Sequence, residues 1–269
     1  FIIARDYFGR LKWSLATGYL GKIEVGAGYG HLIRSFYSNN TPETYRLGRD
    51  KARYNLYQAY AAFSSNTLDD INFPTRGASY TLRAMGVTGR YNFEPASAAA
   101  TAERSTPRWV QAEIATRNYL TLGRHWSLGL ESDIMLSTRK LHGNYDASII
   151  TAPDYAPTPA SNNTFNPAFR ANSFIAAAIV PVYRFNDNLS ARVFGSGFLP
   201  VRKILEDSNG RAFYGRHFAS SEFYGVFDVT YRFPFAALSG YVNYSTYPPR
   251  NWNAGISLGI YLTAPKFLR

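Results

Sequence analysis

Cysteine is absent from the 269 residues, so neither a disulfide framework nor a thiolate metal site is available. Charged residues are scarce at 17% of the chain, whereas aromatic residues reach 16%. That balance excludes a disordered polypeptide, which is charge-rich and aromatic-poor. Long apolar runs are missing too. The longest, Phe174 to Val182, falls well short of the about 20 residues that a membrane-spanning helix needs. An initiator methionine, a basic n-region and a signal-peptide core are lacking, which reads as a processed chain or a fragment. The one excess is positive charge, 29 Lys and Arg against 18 Asp and Glu. A soluble secreted protein, a nucleic-acid binder and an outer-membrane barrel all fit these numbers, and periodicity separates them.

Helical spacing is nearly absent and two-residue alternation dominates. Trp252, Ala254, Ile256, Leu258, Ile260 and Leu262 share one face; Asn253, Gly255, Ser257, Gly259 and Tyr261 share the other. Trp126, Leu128, Leu130, Ile134 and Leu136 oppose Ser127, Gly129, Glu131, Asp133 and Arg139. Phe223, Phe227, Val229, Tyr231 and Phe233 oppose Glu222, Asp228, Thr230 and Arg232, and Val110, Ala112, Ile114 and Leu120 oppose Gln111, Glu113 and Arg117. The segments are longer than the roughly 5–6 residues of an average soluble strand. They match the about 9–11 residues of a tilted membrane strand. An apolar face against lipid and a polar, even charged, face against a wet lumen would select this pattern.

The expected strands are 10–20, 22–37, 53–66, 77–94, 108–122, 125–140, 171–185, 188–204, 219–233, 238–247 and 252–263, with residues 1–8 as the end of another. Short turns at Leu20–Lys22, Gly123-Arg124, Asn186-Asp187 and Pro234–Ala237 alternate with longer polar loops at 38–52, 95–107, 141–170 and 205–218. Residues 248–251 are the one short member of the second set. Membrane barrels have this asymmetry, with short periplasmic turns and long outer loops. Trp13, Tyr19, Tyr37, Tyr91, Trp109, Tyr119, Trp126, Tyr231, Phe233, Tyr247 and Trp252 lie near segment ends, where a headgroup-level aromatic girdle would place them.

No catalytic constellation emerges. A G-x-S-x-G elbow is missing; Gly195-Ser196-Gly197 lies inside an alternating segment, where small residues would leave lumen space. His31, His125, His142 and His217 lack metal-ligand spacing. Gly26, Gly28 and Gly30 line one face of a strand rather than opening a helix, so they are no dinucleotide fingerprint. No cofactor or metal is expected. The cations do not gather into one nucleic-acid patch. Arg46, Arg49, Lys51 and Arg53 surround one long loop, and Arg202, Lys203, Arg211 and Arg216 another. In a barrel both loops face outward, so Arg46, Arg49, Lys51, Arg53, Arg202 and Lys203 read equally as contacts to lipopolysaccharide phosphates and as a solvated loop surface.

Two connections carry a family resemblance. Asn72-Phe73-Pro74-Thr75-Arg76-Gly77 resembles the F-P-T-[RD]-G turn of the superfamily that contains the outer-membrane barrel-assembly insertase and the two-partner-secretion transporters. The long connection ending Pro167-Ala168-Phe169-Arg170-Ala171-Asn172 stands where that superfamily folds its sixth loop into the lumen, with a V-R-G-[FY] tip. Phe169-Arg170 matches the first half, and Ala171-Asn172 departs from the usual Gly-aromatic. In the family the arginine meets a lumen-facing acid. The segment Arg192–Phe198 where that acid is usual has none, leaving Glu131, Asp133 or Asp228 as substitutes. Counted back from the last strand, both connections fall in the family's order.

Within the superfamily the chain is similar to the barrel of Bacteroidetes-type patatin-like phospholipases. The resemblance is carried by Phe174–Arg184, by Phe198–Lys203, and by Asn251–Ser257 through Phe267-Leu268-Arg269. In that family an upstream patatin domain hydrolyses lipid esters with a Ser-Asp dyad, whose motifs are absent here.

The expectation is therefore an all-β transmembrane antiparallel β-barrel domain over residues 1–269, the C-terminal 11–12 strands of a sixteen-stranded barrel. It would anchor or translocate for a phospholipase in the outer membrane of a Gram-negative bacterium. Expected partners are outer-membrane lipids including lipopolysaccharide, the barrel-assembly machinery during biogenesis, and a homodimer or membrane complex; nucleic acid is not expected. An assembly or translocation component and a passive pore of about twelve strands stay open as alternatives.

Overall fold

The computed structural model describes residues 2–18, 20–38, 48–97, 101–158, 161, 165–233, 236–246 and 251–259. Its main element is one antiparallel meander. In chain order the strands are β1 (Ile3–Thr17), β2 (Gly21–Phe36), β3 (Asp50–Asn66), β4 (Gly77–Glu94), β5 (Glu103–Ser105), β6 (Arg108–Thr121) and β7 (Trp126–Ser137). They continue as β8 (Phe174–Arg184), β9 (Leu189–Pro200), β10 (Arg202–Glu206), β11 (Ala212–His217), β12 (Glu222–Arg232), β13 (Ala237–Ser245) and β14 (Trp252–Gly259). The sheet runs β1-β2-β3-β4-β6-β7-β8-β9-β12-β13-β14, with short β5 added to β4 and β10-β11 forming a separate hairpin. Among the described residues the path ends at β1 and at β14, each with one sheet neighbour.

The alternation read from the sequence becomes two chemically different faces. In register across eight strands, Leu15, Ile23, Phe63, Leu82, Ile114, Ile134, Ile175 and Leu199 form one continuous row on the outer face. Five of the first six are 40–52% exposed. The opposite face is concave and buries polar groups: Glu24, Gln58, Gln111, Glu113, Arg192, Asp228 and Thr230. Pairing satisfies their charge. Glu24 accepts from the Tyr60 hydroxyl at 2.8 Å, from Ser14 at 3.2 Å and from Lys12 at 3.4 Å. The Tyr60 ring reaches it only because position 26 is glycine; a Cβ there would lie 2.6 Å from the ring.

Two segments fill the concave side and tie distant strands together, so the sheet is curled. The β3–β4 connection reaches across to β9, where Arg192 donates to the Asn72 carbonyl at 3.2 Å. The long β7–β8 connection contains helix α1 (Tyr145–Thr151) and a 3-10 turn, Pro167–Phe169. Ala147 packs with Leu32, Tyr54 and Phe93 from β2–β4. Tyr155, Phe169 and Ala171 pack with Phe174, Phe198 and Tyr224 from β8–β12. Ile149 and Ala152 rest on Ile204 of the β10–β11 hairpin.

Several details depart from the sequence reading. Residues 3–17 are one strand, not two, since every position from Ile3 to Thr17 pairs with β2. The segment 188–204 breaks after Pro200; Arg202–Glu206 leaves the sheet to pair with β11. The loops at 95–107 and 205–218 contain β5 and most of that hairpin. Tyr91, Trp109 and Tyr119 are buried on the concave face rather than girdling the outside, because they occupy the inward parity of β4 and β6. Trp13, Trp126, Tyr231, Phe233 and Trp252 are exposed. Tyr19, Tyr247, Ile260 to Leu262 and Phe267 to Arg269 lie outside the described residues. Gly195 does not open the concave side either. Its neighbour Ser196 points inward, buried, and donates to the Tyr224 carbonyl at 3.1 Å.

Candidate functional site

The chemistry-bearing side chains of the concave face concentrate at its two ends. At the short-turn end, residues 67–76 form a self-capped turn. Asp69 accepts from the Thr75 and Arg76 amides at 2.8 and 3.1 Å and from the Thr75 hydroxyl at 2.6 Å. Burial works against the Asp69 charge. The Thr75 hydroxyl and the two amides outweigh it and hold the carboxyl below its ordinary range. Asp70 caps the Asn72 and Phe73 amides at 2.8 and 2.9 Å. Gly77 closes the turn at φ 94°, and a Cβ there would fall 2.2 Å from the Thr67 carbonyl oxygen, so only glycine fits. Phe73, Pro74 and Thr75 are buried and Arg76 is exposed.

Three wall arginines hold this turn. Arg117 donates to the Ile71 carbonyl at 3.4 Å and Arg232 lies 3.9 Å from Asp70. Arg192 makes the strongest grip. It is paired with Asp228 at 2.8 Å, with side chains 8% and 4% exposed, and its guanidinium sits 4.9 Å over the Phe73 ring. The sequence reading noted that this stretch of β9 lacks an acid and overlooked that it supplies a base. The signal was present, because Arg192 and Asp228 are both at inward parity and are direct cross-strand partners.

At the long-loop end the connection between β7 and β8 is clamped from within. Asn144 caps α1 by accepting from the Ala147 amide at 2.8 Å. Arg139 donates to the Thr151 carbonyl and hydroxyl at 2.6 and 2.8 Å and lies 4.9 Å over Trp109. His142 is buried, stacked on Tyr91 with centroids 3.9 Å apart and 3.3 Å from Arg139. Burial, and then the Arg139 charge, pull its imidazole down to about 3. Arg170 donates to the Ile150 and Ala152 carbonyls at 3.0 and 2.9 Å, at the C-terminal end of α1, where a cation is favoured. Its ion pair is with Asp154 of the same connection, at 3.5 Å. Asp228 is held by Arg192, and Glu131 by Tyr119 at 2.6 Å and Arg117 at 3.8 Å. Phe169 is buried beside Phe198, whereas Phe165 stays half-exposed under the Arg170 guanidinium. A cavity of about 330 Å³ lies between this connection and β1–β2, with Asp6, Arg34, Arg139, Asp154 and Arg170 on its lining.

The six cations read as lipid-phosphate contacts do not converge. Arg46 lies outside the described residues. Arg49 stacks on Tyr37 at 5.1 Å, and Arg202 on Tyr214 at 4.0 Å. Lys203 pairs with Glu222 at 2.7 Å. Lys51 and Arg53 stand together at the long-loop end of β3, Arg53 paired with Glu94.

Among the described residues no histidine ring is hydrogen-bonded to a serine. His31 meets Asn55 at 2.7 Å, His125 the Arg184 carbonyl at 2.8 Å, and His142 Arg139. No group of three His, Asp or Glu is placed to hold a metal among those residues. The arrangement is thus one of two hydrogen-bonded caps on a polar concave face. No protein-family model matches the chain, and no curated protein matches it in sequence.

Proposed function

We propose that the chain is the wall of an outer-membrane β-barrel, with its outer face in lipid and its long connections on the external side. In this reading it serves as the anchor and translocation domain of a patatin-like phospholipase. The lipid-hydrolysing domain of that phospholipase lies outside these residues. The observation that carries the membrane reading is the inversion of polarity. An aliphatic and aromatic row crosses eight strands on the exposed face while carboxylates and guanidinium groups are buried opposite. With its exposed neighbours Leu11, Tyr57, Val110, Leu130 and Ile179, the row makes an apolar surface wider than the patches of a few hundred Å² usual on soluble monomers. In a bilayer it is the stable side. Strand lengths support it, with 15, 17 and 18 residues in β1, β3 and β4 against the about 9–11 needed to cross. A bilayer also requires the outer edges of β1 and β14 to acquire partners, from further strands or from each other, because unpaired backbone groups in lipid cost several kcal/mol each.

The filled concave face favours an anchored, gated role over a passive pore, since capped segments stand at both ends. The phospholipase assignment rests on the sequence resemblance. Two measurements test the parts separately. Reconstitution into lipid vesicles should protect β3–β9 from protease, and full digestion contradicts the membrane reading. The chain folded in detergent should leave a short-chain nitrophenyl ester intact, whereas the parent that carries the patatin domain should hydrolyse it. Hydrolysis by the chain alone, abolished by changing one of its own serines, contradicts the scaffold role.

A further inference from the structure

The outer face changes character toward the long-loop end of β1–β6. Above the apolar row, the outward positions are Arg5 on β1, Lys51 and Arg53 on β3, Arg90 on β4, Arg104 on β5 and Arg108 on β6. Register places them side by side. Arg53 pairs with Asn92 and Asn92 with Arg104; Asn55 pairs with Arg90, and Thr88 with Arg108. The acid among these positions is Glu94, which takes Arg53 and the Asn92 amide at 3.0 Å. Arg104 is steadied by its Nε donating to Asn92 at 3.2 Å. Among the described residues no carboxylate lies within ion-pair distance of Arg5, Arg90, Arg104 or Arg108. Like charges set side by side in this way repel one another, and an anion placed among them would relieve that repulsion.

Directly below Arg108 a shallow groove of about 560 Å³ opens on the same face. Ala59 and Gly86 form its floor, Tyr57 and Val110 its walls, and Thr88 and Arg108 its upper end. A Cβ on Gly86 would touch nothing within 4 Å, so the floor lies open to the outside. We propose that this belt and groove together bind a phosphorylated lipid. Its phosphates would be held by the Arg90, Arg104 and Arg108 guanidinium forks, and one acyl chain would lie over Ala59 and Gly86. Guanidinium groups match phosphate oxygens in paired, charge-assisted hydrogen bonds. Several cations against one acid suit a headgroup with more than one phosphate better than a single phosphodiester. The apolar row continuing beneath the groove argues for a lipid over a water-soluble polyanion. The proposal rests on the membrane reading above and adds the class of lipid and where it sits.

The test uses the protein in phosphatidylcholine nanodiscs, with diphosphoryl lipid A as the probe and native mass spectrometry as the count of bound lipid. The parent should bind it and discriminate against the dephosphorylated form. Arg90→Gln/Arg104→Gln/Arg108→Gln should weaken binding about a hundredfold. Arg124→Gln/Arg184→Gln, at the opposite end, should leave it unchanged. Gly86→Leu should weaken the acylated lipid and spare the deacylated, phosphorylated headgroup. Equal binding by the triple variant, equal binding of the dephosphorylated lipid, or full competition by inorganic phosphate at matched concentration each overturns the lipid site. A chain that fails to enter the bilayer overturns the membrane reading as well, whereas an inserted chain that ignores lipid A overturns the lipid site alone.

Discussion

Replacing Asp228 by alanine strands a buried charge. Arg192 and Asp228 are paired at 2.8 Å with both side chains under a tenth exposed. Removing one partner of such a pair costs roughly 3–5 kcal/mol, because the remaining ion stays desolvated. Arg192 would keep the Asn72 carbonyl at 3.2 Å and the Phe73 ring at 4.9 Å, which offset part of the loss. Thr230 would lose its acceptor at 3.2 Å, which adds a little. The expected destabilisation is about 3 kcal/mol, at the lower end of that range. Urea unfolding in lipid vesicles, followed by tryptophan fluorescence, measures it. Asp228→Ala/Arg192→Met removes both charges and should cost less than the single change. Because Arg192 grips Asn72 and Phe73, the single variant should also be nicked faster by trypsin at Arg76. A loss below about 1 kcal/mol, the scale of an exposed pair, would refute the reasoning. So would a double variant no more stable than the single one.

Ile114→Arg should impair insertion by roughly 2–4 kcal/mol, the cost of a lipid-facing arginine near the midplane, while Thr81→Arg on the concave side should cost less; equal losses in vesicle refolding would reverse the face assignment. Gly77→Ala should destabilise the turn by more than about 1 kcal/mol, since the native φ is positive and the methyl meets the Thr67 carbonyl; an unchanged urea midpoint contradicts this. His142 is held neutral, so its contribution is complete above the unfolded value near 6.5 and is lost as pH falls toward about 3. Asp146, pushed up to about 6 by burial and then by Glu206, acts in the opposite sense between about 4 and 6. The readout is therefore the difference in unfolding midpoint between the parent and His142→Phe across pH 3–7. A variant that closes the gap to the parent, or overtakes it, as pH falls is expected, and parallel profiles contradict the assignment.

The faces of the sheet were legible because parity is a local property. Leu130 and Ile114 could be assigned outward, and Asp228 and Glu113 inward, from two-residue alternation alone. The alternation of short turns and long connections was legible for the same reason. What escaped the sequence depends on residues far apart. Arg192 joins Asp228 across the sheet and Asn72 from a turn 120 positions earlier. Arg170 finds Asp154 because α1 folds back over it, and α1 itself is short, with Asn144 as its main local signal. Tyr91, Trp109 and Tyr119 have girdle composition but inward parity, and parity prevailed. The cationic belt was obscured because its members sit at strand ends rather than in the loops, and only register brings them together.

The absence of native cysteine makes nitroxide scanning of β4 the most direct test of the proposal that this face of the sheet meets lipid. Labels are placed singly at positions 82 to 87 of the protein in lipid vesicles, and collision with oxygen and with a water-soluble nickel complex is measured. Positions 82, 84 and 86 should be accessible to oxygen and shielded from nickel, and positions 83, 85 and 87 should show low oxygen access, with a period of two residues. Nickel access at Leu82 and Ala84 equal to that of an exposed loop, or no alternation along the strand, would contradict the account.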